Sequence, residues 1–189
     1  MIPNAADVAA SLHASRRALR VAPWKIVLAY ALVAVVWIFV TNLIITALAT
    51  FFGWGANEGI SGLENAYAAY PYGNGLAIIV PTLELAAGVF LVLGLITPVA
   101  AAVALVVTTF NALHAIVAAG SDWNVFQWGP AEWLPVMLLS IALAMQFTGP
   151  GYYGIDVGRS WARRPLASSW IWVVVALALA GVMWWFGTE

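Results

Sequence analysis

Glu84 is the only acidic residue deep within an apolar stretch of this 189-residue chain. A carboxylate in hydrocarbon is costly enough that such a residue faces a bundle interior, pairs, or titrates. Counting ~1.5 Å of helical rise per residue from the outer ends of the apolar stretches places Asn42, Glu84, Asn111 and Ser140 at a common depth of roughly 12–15 Å. Thr108, Asn111 and His114 follow one another at i, i+3 and i+6, and Asn42 and Thr46 at i, i+4, so each set shares a helix face. This pattern describes a small polar pocket reached from the outer leaflet. Glu84 or His114 would move protons there as candidate catalytic groups, and Asn42, Asn111 or Ser140 would hold a carbonyl. The aromatic cluster Trp123, Phe126, Trp128 and Trp133 is denser than membrane anchoring requires, and makes Trp123 and Trp128 candidates for the mouth of an apolar-ligand site. A quinone headgroup suits such a pocket, because it arrives through lipid and couples two electrons to two protons. The competing reading is that the amides and hydroxyls are interhelical glue, worth under ~2 kcal/mol per contact.

The same residues exclude much other chemistry. There is no cysteine, so thiolate metal sites, iron–sulfur clusters ligated by this chain and covalent haem attachment are ruled out. His13 is the only other histidine and falls in the N-terminal segment, so no bis-histidine haem spans the bundle, and one histidine with one carboxylate is a thin metal site. The sequence therefore predicts no haem, iron–sulfur or metal cofactor. For His114, a hydrogen-bonded bundle histidine competes with a proton carrier. Seven Lys/Arg against eight Asp/Glu leave a net charge of −1, with no basic face for nucleic acid.

These side chains must be positioned by membrane helices. Hydrophobic residues make up 64% of the chain and charged ones 8%, far from the roughly one-quarter charged residues of a soluble domain. Five stretches, 24–52, 75–96, 98–119, 131–147 and 169–186, approach or exceed the ~20 residues that span a hydrocarbon core. In lipid they must be helices, since every backbone group has to be paired internally. All the basic residues fall on one side. Arg16, Arg17, Arg20 and Lys25 precede the first span, and Arg159, Arg163 and Arg164 lie between the fourth and fifth. The positive-inside rule then predicts a cytoplasmic N-terminus and an outer C-terminus, with the first span as an uncleaved anchor in a bacterial or archaeal cytoplasmic membrane. The expected organisation is a weakly amphipathic basic segment over 1–23, a four-helix core over 24–158, and a basic linker with a fifth span over 159–189.

The connections carry their own signals. Ser61-Gly62-Leu63-Glu64 fits a capping box, predicting a short interfacial helix from about residue 62 to 70, closed by Pro71. Pro81 removes the hydrogen bond to the carbonyl of Ala77, three residues before Glu84. Gly88 leaves space one turn after it. The Gly149 to Asp156 run stops the fourth helix, and Asp156 either folds that turn or pairs with Arg159 at i+3.

Three of these segments together resemble the DoxX/DoxD family of small bacterial and archaeal membrane proteins. They are Leu83-Glu84-Leu85-Ala86-Ala87-Gly88, then Leu93-Gly94-Leu95-Ile96-Thr97-Pro98-Val99-Ala100-Ala101, and the Gly149 to Asp156 turn. The resemblance covers about residues 60 to 158. It implies an all-α integral membrane fold, with a four-helix DoxX-like bundle and the fifth C-terminal helix as an addition, and it aligns Glu84 with the glutamate of the family's second-helix motif. Family members include the DoxD subunit of thiosulfate:quinone oxidoreductase, which works with a DoxA partner. The implied role is a membrane subunit of a redox complex, oxidising thiosulfate or another small sulfur compound with quinone. The alternative is a non-catalytic scaffold, accessory or assembly subunit. Membrane lipid and other subunits of a membrane complex are the implied partners. Family members often carry basic residues where this chain has Pro98 and Tyr152.

Overall fold

The computed structural model describes residues 23–55, 58–70, 75–120, 124–148, 154–159 and 166–186. Among them all regular structure is helical: α1 (Pro23–Phe52), α2 (Gly59–Ala68), α3 (Leu76–Leu93), α4 (Thr97–Ala118), a 3₁₀ turn (Val125–Gln127), α5 (Pro130–Thr148) and α6 (Leu166–Phe186). Every helix but α2 is long and apolar enough to cross a membrane. The protein is thus an all-α integral membrane bundle, and each span ends within 3 residues of its sequence-predicted limits. The basic segment before residue 23, Trp123, Trp161, Pro71, Tyr72 and Tyr152 lie outside the described residues, as do Arg163 and Arg164.

The chain divides into two compact units, 1–37 and 38–189. The described part of the first is the N-terminal half of α1. It is exposed along almost its whole length, with Trp24, Val27, Tyr30 and Trp37 all on its surface and the Lys25 ammonium 5.6 Å from the centre of the Trp24 ring.

In the second unit α4 is the central helix, packed against α3, α5 and α6. Its sequence explains its place. Ala100, Ala101, Ala104, Leu105, Val107 and Phe110 are all buried, and a helix that is small or apolar all round belongs inside. The fifth span is part of this packing, with Ser169, Val173, Ala176 and Ala180 forming one buried stripe on α6. Near its end Trp184 meets the edge of Phe110 at 6.1 Å.

The short helix α2 would be marginal alone at 10 residues. It is held by Ile60, Leu63, Tyr67 and Tyr70, spaced on one face and packed with Ala77, Val80, Val107 and Phe110. The predicted capping box does not form. The helix begins earlier, at Gly59, whose φ of +74° sets the turn into it, and Ser61 lies within the first turn and donates to the carbonyl of Glu58 at 3.1 Å. Gly62 permits this start, because a Cβ there would come within 2.5 Å of Cβ of Glu58.

Between α3 and α4 the chain reverses through a Schellman motif. Gly94 takes the left-handed conformation and donates to Leu91, while Leu95 donates to Phe90 at 2.9 Å. Ile96 follows at φ +46°, a conformation that is strained for a β-branched residue. The strained corner is covered by the turn after α5. Ile155 and Asp156 donate backbone hydrogen bonds to the carbonyls of Leu93 and Gly94, at 3.1 and 3.0 Å. Asp156 is buried, and its Oδ2 accepts from the backbone N–H of Thr97 at 2.8 Å and from its hydroxyl at 3.1 Å. A carboxylate here satisfies an orphan donor in the first turn of α4 and complements the helix dipole. Asp156 therefore does more than fold its own turn: it caps a helix 59 residues away.

Close approach also governs the contact between α1 and α3. A Cβ on Gly88 would lie 2.6 Å from Cγ1 of Ile44. Gly88→Val is expected to lower stability by about 1–3 kcal/mol through overpacking. Adding Ile44→Ala should recover a large part of that loss, measured as a double-mutant cycle on thermal unfolding in detergent. Additive effects of the two substitutions would show that the helices do not meet here.

Candidate functional site

The polar residues of α1, α3 and α4 converge on one cavity of about 160 Å³. α3 supplies Glu84 and α4 supplies Thr108 and Asn111. α1 contributes Asn42, Leu43 and Thr46, and α5 closes the remaining side with Leu134, Pro135 and Leu138. Thr46 and Leu134 are exposed, so the cavity reaches the surface where α1 and α5 flank it. A volume near 150 Å³ is what a single benzene-like ring occupies in a protein interior.

Each wall has a local reason for its shape. Glu84 lies one turn before Gly88, where α1 comes close, and α3 passes through Pro81 as a continuous helix. On α4, Asn111 and Thr108 are three residues apart and present the same face. Thr108 turns its hydroxyl proton back to the carbonyls of Ala104 at 2.8 Å and Leu105 at 3.3 Å, leaving its oxygen lone pairs for the cavity side. Pro135 within α5 cannot donate to the carbonyl of Ala131. The start of α5 is fixed by Pro130 in the first helical position and by Glu132, whose Oε2 accepts from the N–H of Gly129 at 2.9 Å.

The central interaction is between Asn111 and Glu84. The Nδ2 of Asn111 donates to Oε1 of Glu84 at 2.7 Å, and Glu84 is 4% exposed. This bond distinguishes the two carboxyl oxygens. Oε1 is committed as an acceptor, so a protonated Glu84 carries its proton on Oε2. Oε2 has no hydrogen-bond partner among the described residues. The arrangement can give a proton to a guest oxygen from Oε2, or take one back, without disturbing the Asn111 bond.

The other residues singled out by depth and type fall in different places. Ser140 is exposed and its hydroxyl donates to the carbonyl of Val136 at 2.9 Å, away from the cavity lining. His114, one turn beyond Asn111, is surrounded by rings instead. Tyr67 and Tyr70 meet it edge-on at 5.0 and 5.1 Å, and Phe110 lies parallel to it at 6.4 Å. It joins α4 to α2. Trp128 packs edge-on against Trp133 at 5.5 Å beside the start of α5, outside the cavity lining, and Trp123 is outside the described residues. Phe126, on the 3₁₀ turn, is 95% exposed. Sequence reading missed the apolar wall, Leu43, Leu134, Pro135 and Leu138, since leucines in a membrane helix carry no mark of facing a cavity. Comparison of the chain with models of known protein families, with curated proteins and with solved structures gave no match.

Proposed function

We propose that the protein is a quinone-binding membrane subunit of a redox complex, with the headgroup held in the cavity beside Glu84. The observation that carries this reading is the Asn111-oriented carboxyl of Glu84, a residue that lines a ring-sized cavity and keeps one oxygen without a partner among the described residues. The residues fit such a group: the cavity takes one ring, the Asn42 amide offers N–H donors to its oxygens, and the flanks of α1 and α5 leave a path for substituents and an isoprenoid tail. When bound, a quinone supplies two-electron, two-proton redox chemistry. Glu84 holds or moves the proton at Oε2, Asn111 keeps the carboxyl oriented, and Leu134, Pro135 and Leu138 exclude water from the ring. The resemblance of the sequence to the DoxX/DoxD family supports thiosulfate or another small sulfur compound as electron donor, acting through a partner subunit. The one-sided distribution of arginine and lysine supports a cytoplasmic N-terminus and an outer C-terminus in a bacterial or archaeal membrane.

The accessory-subunit reading has its own support in the first half of α1. Its large apolar side chains are exposed along the helix, and such a surface serves lipid or a neighbouring subunit equally well. Binding of a decyl-tailed 1,4-benzoquinone to the purified protein in nanodiscs, followed by tryptophan quenching, tests the first reading. Saturable binding that is at least tenfold weaker in Glu84→Leu is expected, as follows from about 1.4 kcal/mol for a lost hydrogen bond to the guest. Absence of saturable binding, or equal affinity in the variant, would leave the accessory reading standing.

A further inference from the structure

The α1 wall of the cavity presents polar groups that have no partner among the described residues. Asn42 is half-buried and lines the cavity, yet its amide makes no hydrogen bond to any described residue, and neither does the hydroxyl of Thr46 one turn away. The opposite wall behaves differently: Thr108 is bonded to its own helix, and Asn111 is committed to Glu84. In hydrocarbon an unpaired amide forfeits its hydrogen bonds with no water to replace them. Interhelical glue would show a bonded Asn42, as it shows a bonded Asn111.

We infer that Asn42, assisted by Thr46, is a second anchor that selects guests carrying two hydrogen-bonding oxygens, one for Oε2 of Glu84 and one for the α1 wall. This deepens the quinone reading and rests on it. A ring with a single oxygen satisfies Glu84 and leaves the Asn42 amide unpaired. A site built around polar partners rejects an analogue lacking one of them much more strongly than an apolar pocket rejects a missing methylene. Asn42 is therefore a specificity-determining residue, and the proton chemistry stays with Glu84.

The test compares two tailed rings on the full-length protein in nanodiscs: 2-decyl-1,4-hydroquinone, kept anaerobic, and 3-decylphenol, which lacks one hydroxyl. The wild type is expected to bind the hydroquinone at least tenfold more tightly. In Asn42→Leu the ratio should fall to within about twofold, through loss of hydroquinone affinity alone, with phenol binding unchanged. Because Asn42 makes no hydrogen bond to any described residue, thermal stability of Asn42→Leu should equal or exceed that of the wild type. Thr46→Val, a milder change on the same wall, should reduce the ratio partially. A tenfold preference retained in Asn42→Leu, or a wild type that binds both rings equally, overturns the inference while leaving the site beside Glu84 intact. A wild type that binds neither ring overturns the underlying reading with it. A large drop in the stability of Asn42→Leu would return Asn42 to a packing role.

Discussion

Gly94→Ala is expected to unseat the turn after α5 and to destabilise the protein by about 3 kcal/mol or more, combining left-handed strain with overpacking against backbone. An added Cβ would lie 2.4 Å from the Cα of Gly154, and 3.3 Å from its carbonyl carbon. Backbone atoms tied by hydrogen bonds to Leu93 and Gly94 cannot swing aside as a side-chain tip would. The φ of +59° adds a second cost. Gly120→Ala separates the two contributions, because Gly120 sits at φ +60° with nothing within 4 Å of the added carbon. Thermal unfolding in detergent should show a loss of only about 1–2 kcal/mol for Gly120→Ala. Equal losses in the two variants would mean that the turn does not dock on the corner between α3 and α4. The effect has a wider consequence, since displacing the turn also removes the Asp156 carboxyl from Thr97 and uncaps the helix that carries Asn111.

The second large effect is expected at Glu84. Gln retains an oxygen to accept the Asn111 bond and nearly the same volume, but replaces Oε2 with an amide that neither releases nor takes up a proton at neutral pH. On the redox reading, Glu84→Gln should lower quinone reduction by intact membranes by about 100-fold, in the range that general acid–base groups contribute. Thiosulfate serves as the first donor to assay. Thermal stability should stay close to wild type, because the Asn111 hydrogen bond survives. The split between activity and stability is the informative part. Unchanged quinone reduction with normal assembly would make the carboxyl a structural element and favour the accessory reading. Parallel loss of activity and stability would mean that the carboxyl holds the bundle together.

The two positions show how different kinds of information were legible before the structure. Glu84 stood out because an acid in an apolar stretch is conspicuous in any reading, and Asn42 and Asn111 stood out by depth. That these three share one cavity agrees with counting residues along rigid helices of known rise. Ser140 was selected by the same count and lies at the surface, bonded to Val136. Depth is a coordinate along the helix axis, and it says nothing of rotation about that axis. In a soluble protein the polar face would reveal the rotation, but in a membrane both the lipid-facing and the bundle-facing sides are apolar. The periodic signal is then weak.

Asp156 illustrates a second limit. Its neighbours suggested a local turn or a pair with Arg159; the local turn forms, with the Arg159 N–H donating to the Asp156 carbonyl at 3.0 Å, and the carboxyl also reaches Thr97 across 59 positions of chain. No spacing rule connects them. They meet because the span formed by α5 returns the chain to the end of the bundle where α3 gives way to α4. The capping box at Ser61 failed for a related reason. Local pattern favoured a start near Gly62, and packing of Ile60, Leu63, Tyr67 and Tyr70 against α3 and α4 accompanies a start at Gly59.

What the chain determined by itself was therefore the set of membrane helices, their limits and the position of each polar group along its helix, because lipid leaves an apolar segment no alternative to a fully hydrogen-bonded helix. The tertiary structure alone decided the azimuth of each helix. Rotation about a helix axis is set by the close fit of small and large side chains on neighbouring helices, such as Gly88 against Ile44, and that fit turns Asn111 toward Glu84 and Ser140 away.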